Sequence, residues 1–159
     1  MKASKFITIA LLVCIFYFLG YVRNYIFVTI NAQAAATYYH TTPPPLNSFM
    51  SFIDSRSYNW LFNFKWFLTL LFAIIYCSLS ALSIFILFKK KSYTTLCIIL
   101  YLVMLIVSAI FMGLGYLFHN FSHSAFDLAR NIMHLGQSPL ITLLIVAGLY
   151  FYRKRESTT

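Results

Sequence analysis

The chain has 159 residues, 61% of them hydrophobic and 9% charged, with a mean hydropathy of +0.79 and a formal net charge of +9. Soluble domains carry about 25% charged residues, so this composition excludes a soluble fold and leaves a membrane protein, read as a single membrane domain over residues 1–159. The positive charge is not a nucleic-acid signal, because Lys and Arg sit at the ends of apolar runs, where membrane topology accounts for them.

Residues 1–5 form a short basic start, and an apolar run from Phe6 to Val22 follows. Arg23 and Asn24 interrupt it, and the first span is placed at residues 6–30. Ala32-Gln33-Ala34 has the small-x-small pattern of a signal-peptide cleavage site. It lies too far beyond the end of the apolar run, so the expectation is an uncleaved first helix. Residues 37–58 make the longest loop. Thr41-Thr42-Pro43-Pro44-Pro45 resists helix formation, because each Pro lacks an N–H and restricts the residue before it. Residues 46–53 (LNSFMSFI) are amphipathic and suited to lying on the bilayer surface. Tyr38, Tyr39, Tyr58 and Trp60 suit the aromatic belt of the interface.

The second span is placed at residues 59–88 and ends in Lys89-Lys90-Lys91. The third is placed at residues 94–118; its Gly113 and Gly115, like Ser78, Ser80, Ala81 and Ser83 in the second, are small residues that let helices approach closely. A polar turn follows at residues 119–124 (HNFSHS), and then a fourth span at residues 126–152. Pro139 is expected to kink it by leaving the carbonyl of Leu135 without its helical partner. Cys14, Cys77 and Cys97 lie in three different apolar runs, without CxxC spacing, and read as small buried hydrophobes.

Eight of the twelve Lys and Arg residues, Lys2, Lys5, Lys89 to Lys91 and Arg153 to Arg155, fall on one side of this arrangement. Arg23, Arg56, Lys65 and Arg130 fall on the other. The positive-inside rule makes the first side cytoplasmic. The expected fold is therefore all-α: an integral-membrane four-helix bundle with N- and C-termini cytoplasmic.

Asp127, Arg130, His134 and Gln137 follow one another at i, i+3, i+7 and i+10, a single polar stripe on a helix. About 20 residues cross the apolar core. Counting that many from each cytoplasmic end brings Arg23, Lys65 and Arg130 near the outer boundary, with Asp127 just above it and His134 and Gln137 just inside. Arg23, Lys65, Asp127, Arg130, His134 and Gln137 are thus candidates for one outward-facing anion-binding pocket, for a lipid phosphate, a lipid-linked glycan phosphate or a partner's carboxylate. Arg suits that task through its planar fork of donors. Against this stands simple snorkelling of the cations to headgroups, with Asp127 pairing locally. His119, His123 and Asp127 have i, i+4, i+8 spacing, which binds metal on a continuous helix, but a turn is expected there and no metal or cofactor is implied. No Gly-rich phosphate loop, paired carboxylates or cysteine nucleophile is present.

Four segments carry a resemblance: LGYVRNYIF (19–27), YNWLFNFKWFLTLLFAIIY (58–76), LFKKKSYTTLCIILYLVM (87–104) and LARNIMHLGQSPLITLLIVAGLYFY (128–152). With Arg23, Arg130, Gln137, Pro139 and Leu140 as the distinctive positions, the chain resembles the small four-span proteins encoded beside bacterial exosortases, the exosortase F system-associated family. That resemblance implies a multi-pass protein of the bacterial inner membrane and an accessory role in protein sorting, with another integral membrane protein as partner. The exosortases themselves use a membrane-embedded Cys, Arg and His. Arg130 and His134 are present here, but no cysteine falls near the outer face, so the chain is not expected to be the transpeptidase. The leading reading is a non-catalytic subunit that presents an anion pocket to a partner or an anionic lipid. The rival is a small enzyme acting on a lipid-linked phosphate, with Arg23 and Arg130 holding the phosphate and His134 as acid or base. A third reading is a transporter subunit.

Overall fold

The computed structural model describes residues 3–118 and 122–156. All regular structure among them is helical: α1 (Ala3–Tyr39), a short 3-10 helix η1 (Ser48–Ile53), α2 (Tyr58–Phe88), α3 (Lys91–Leu117), α4 (Ser122–Gly136) and α5 (Pro139–Glu156). Three helices, α1, α2 and α3, are long and apolar enough to cross a membrane, and α4 with α5 supplies a fourth crossing if the bent pair is one span. The protein is a multi-pass membrane protein.

α1 does not end near Ile30 as the apolar run does. It continues nine residues further, to Tyr39, because Ala32, Ala34, Ala35 and Ala36 are the strongest of helix formers and no Gly or Pro intervenes. Its end is chemically defined. His40 takes the left-handed conformation (φ 54°), and the Thr41 N–H reaches back to the Ala36 carbonyl at 3.0 Å, the closure that caps helices before a proline-rich segment. α2 starts on Ser57, whose hydroxyl accepts from the Trp60 N–H at 3.4 Å, an N-cap that the sequence supplies three residues earlier. At 1.5 Å per residue, α1 and α2 reach roughly 55 and 46 Å, well beyond a core of about 30 Å.

The chain divides into two compact units, Val13–Phe72 and Met1–Leu12 with Ala73–Thr159. In the first, residues 13–39 of α1 run antiparallel to residues 58–72 of α2. Phe27 meets Phe72 with ring centroids 6.0 Å apart, and Tyr38 meets Tyr58 at 5.4 Å. The segment 46–53 divides its apolar side chains: Met50 and Ile53 are each 1% exposed, while Phe49 and Phe52 stay exposed at 71% and 47%. Phe52 packs edge-on against Phe64, and the Asn47 amide donates to the Tyr25 hydroxyl at 2.8 Å. A two-turn 3-10 helix is too short to hold itself, and the burial of Met50 and Ile53 stabilises it.

In the second unit, Lys89 (φ 55°) turns the chain between α2 and α3 within two residues. α3 then pairs with α4 in antiparallel register through small side chains. A Cβ on Gly115 would sit 3.3 Å from that of Ala125, and one on Gly136 would lie 3.4 Å from the Met104 methyl. Between these, the Ser108 hydroxyl donates to the Ala129 carbonyl at 3.0 Å. Gly, Ala and Ser at one helix-helix seam allow this close approach.

The fourth span is not one kinked helix over 126–152. It is two helices bent by 63°, and α4 begins at Ser122. Pro139 has no N–H to offer the Leu135 carbonyl, yet that carbonyl has partners. The Ser138 N–H and hydroxyl both donate to it, at 3.1 and 2.7 Å. Gln137 still donates its N–H to Met133 at 3.0 Å, the last bond of α4, which ends at Gly136, and α5 restarts with Pro139 in its first turn, the position where proline fits.

Candidate functional site

The six candidate residues divide between the two units. Arg23 and Lys65 lie in Val13–Phe72; Asp127, Arg130, His134 and Gln137 lie in the other.

Lys65 lines an open groove of about 340 Å³ between the end of α1 and the start of α2. Its floor is apolar, from Ile30, Ala34, Leu61 and Phe62, and Tyr38 and Tyr58 border it. The concavity originates in the sequence of α1. Ala34 and Ala35 put only methyl groups near Leu61 and Phe62 of the facing helix, and all four line the groove. With Tyr38 opposite Tyr58, the antiparallel register brings Asn31 opposite Lys65, and both line the groove. A cation, an amide and tyrosine hydroxyls bordering an apolar floor form the donor set for an anionic head on an apolar body.

Arg23 lies two turns along α1 from Ile30 and does not line this groove. Its guanidinium sits 5.2 Å from the Phe27 ring centre, and Phe27 in turn rests on Phe72. The half-buried Arg23 is thus held over an aromatic pair, a cation–π arrangement.

On α4 the stripe is present in part. Ala125, Ala129 and Gly136 face α3, and at 100° per residue Asp127, Arg130 and His134 fall on the opposite side. Arg130 donates to Asp127 at 2.7 Å, one turn apart, with the two side chains 65% and 40% exposed. His134 is exposed in the last turn. Gln137 leaves the stripe: past the end of α4, it is only 2% exposed. His119 of the candidate metal spacing lies outside the described residues, and among the described residues no three His, Cys, Asp or Glu gather.

A polar cluster that no sequence motif marks lies in the second unit. Ser80 on α2, Tyr101 on α3 and Thr142 on α5 are buried together. The Ser80 hydroxyl is 2.7 Å from the Tyr76 carbonyl, 2.9 Å from the Tyr101 hydroxyl and 2.6 Å from that of Thr142. A carbonyl only accepts, and Ser80 has one proton, so Ser80 donates to Tyr76 and accepts from both partners. This single assignment satisfies all three bonds and joins three helices at one oxygen. The sequence marks these three hydroxyls no more than the others in the same runs, such as Ser78, Ser83 and Ser108.

No family model, no curated protein and no solved structure matches the chain.

Proposed function

We propose that the protein is a non-catalytic subunit of a membrane protein-sorting system of the exosortase type. It lies in the bacterial inner membrane with both termini cytoplasmic and holds an anionic group in the outward-facing groove at Lys65. The observation that carries the binding half of this reading is the groove itself, an open concavity with Lys65 and Asn31 above a floor of Ile30, Ala34 and Leu61. The orientation rests on the eight-to-four distribution of Lys and Arg. The assignment to a sorting system rests on the resemblance of residues 19–27, 58–76, 87–104 and 128–152 to exosortase-associated proteins. The four helical segments would then pack as one bundle.

The test is purification in a mild detergent followed by mass spectrometry of the proteins and lipids retained. The expected result is a stoichiometric integral membrane partner together with an anionic lipid, the lipid lost on Lys65→Gln. Recovery of the chain with no partner and a lipid complement unchanged by Lys65→Gln would overturn the reading. His134, exposed on the same helix face as Arg130, favours the rival: phosphate release from a lipid-linked phosphate that is abolished by His134→Gln would establish an enzyme instead.

A further inference from the structure

The turn between α2 and α3 concentrates hydrogen-bond donors that the fold itself leaves unused. Lys89, Lys90 and Lys91 make up the turn and the first residue of α3, between two helices that are each long and apolar enough to cross a membrane. Lys90 holds the extended conformation of an N-cap, but its ammonium has no lone pair to offer the helix, and no side-chain hydrogen bond caps α3. Tyr93 gives its N–H to the Lys90 carbonyl at 3.2 Å. The N–H groups of Lys91 and Ser92, ahead of it, have no intrahelical partner and carry the positive end of the helix dipole.

Two hydroxyls stand unused beside this end. Tyr93 is 9% exposed, and its hydroxyl is buried without a hydrogen-bond partner among the described residues. Helical side chains lean toward the N-terminus of their helix, and the Tyr93 ring sits against the turn accordingly. It meets the Phe88 ring edge-on at 5.6 Å, and the Lys90 ammonium lies 5.3 Å from its centre. Thr94 supplies the second hydroxyl. Thr29, Thr37, Thr69 and Thr95 each donate to the carbonyl four residues back, the ordinary recourse of a helical threonine. Thr94 does not, and its buried hydroxyl also lacks a partner among the described residues. Buried donors left unsatisfied are costly, and two on consecutive residues, beside an uncapped helix end, mark a place for an acceptor. Three lysines and an open helix N-terminus make that acceptor an anion. The chain itself is short of anions, with three carboxylates against twelve Lys and Arg, and Asp127 is already paired with Arg130. At a turn between two membrane-length helices the anion at hand is a phospholipid headgroup.

We propose that the α2–α3 turn is a binding site for the phosphate of an anionic phospholipid. Lys89 and Lys91 supply charge, the Lys91 and Ser92 N–H groups receive the phosphate oxygens, and the Tyr93 and Thr94 hydroxyls complete the donor set. Lys90, whose flexible side chain covers the Tyr93 ring, swings to the headgroup and opens the way to the hydroxyl. The site is separate from the Lys65 groove, needs no sorting partner, and holds whichever side of the membrane the turn faces.

The experiment is titration of the purified full-length protein, in a mild non-ionic detergent, with phosphatidylglycerol or phosphatidylcholine, read by native mass spectrometry. It is run in the Lys65→Gln background, so that lipid held at the groove does not contribute. Phosphatidylglycerol is expected to bind more tightly than phosphatidylcholine. Lys89→Gln with Lys91→Gln should weaken it by about fivefold for each lysine removed. Tyr93→Phe keeps the ring, its contact with Phe88 and every positive charge. It should still weaken phosphatidylglycerol by about tenfold, the loss of one hydrogen bond to a charged group, while the lipid-free protein melts no lower than its parent because an unsatisfied hydroxyl has gone. Phosphatidylglycerol affinity unmoved by Tyr93→Phe would overturn the site and leave the lysines as diffuse charge. Equal affinity for the two lipids would overturn its preference for an anionic headgroup, and displacement of the lipid by an equal concentration of inorganic phosphate would assign the turn to the free ion instead.

Discussion

Ser80→Ala tests whether three helices are joined at one hydroxyl. The substitution removes the acceptor of the Tyr101 and Thr142 protons and the donor to the Tyr76 carbonyl. Loss of the last costs little, since a helical carbonyl retains its backbone N–H. Thr142 can turn its hydroxyl to a carbonyl of its own helix. Tyr101 is 3% exposed and its hydroxyl has no such recourse, so the penalty falls there, at about 1–3 kcal/mol for a buried donor left unsatisfied. Tyr101→Phe alone removes the donor and leaves Ser80 one spare lone pair, a smaller loss of about 0.5–1.5 kcal/mol. The double variant has nothing left to desolvate, so the two losses should not add. The expected coupling is about 0.6–1.7 kcal/mol, from the average to the maximum found for hydrogen bonds between membrane helices. It is measured as a double-mutant cycle by equilibrium unfolding in SDS-containing mixed micelles, followed by circular dichroism. Additivity within about 0.3 kcal/mol would show that Ser80 and Tyr101 do not bond.

The α3–α4 seam separates two neighbouring glycines. Gly115→Leu should cost about 1–3 kcal/mol by forcing α3 from Ala125, whereas Gly113→Ala, with nothing within 4 Å of the new methyl, should be neutral or stabilise by up to about 1 kcal/mol through helix propensity; the same unfolding assay compares them. Met50→Ala should release residues 40–57 to protease under native conditions, because Met50 is an anchor of η1, while Phe49→Ala, 71% exposed, should leave the cleavage rate unchanged. Ser138→Ala should destabilise by about 0.5–1.5 kcal/mol, since the Leu135 carbonyl then keeps only the Ser138 N–H; an unchanged stability would show that the hydroxyl bond is made equally well by solvent.

The all-helical, multi-span character was readable from the sequence because it depends on local quantities: the length of apolar runs, the lysines that end them and the proline that interrupts the last. In hydrocarbon every backbone group must be satisfied within its own helix, so hydropathy alone dictates secondary structure. Lys65, Arg130 and His134 were recognisable as rare ionisable residues near apolar runs for the same reason. The alanines that extend α1 were also in view, but a hydropathy reading follows apolarity rather than propensity, and it stopped α1 at Ile30. What could not be read was anything set by the register between helices. Asn31 became a groove residue only because Tyr38 stands opposite Tyr58. Ser80 became a three-helix junction only because Tyr101 and Thr142 reach it. Gln137 left the polar stripe because Ser138 takes the carbonyl that Pro139 abandons, which ends α4 and turns the chain. Sequence determined which segments are long and apolar enough to cross a membrane, since that is a transfer free energy of each segment alone; which polar groups meet was decided by contacts between segments that only the tertiary structure contains.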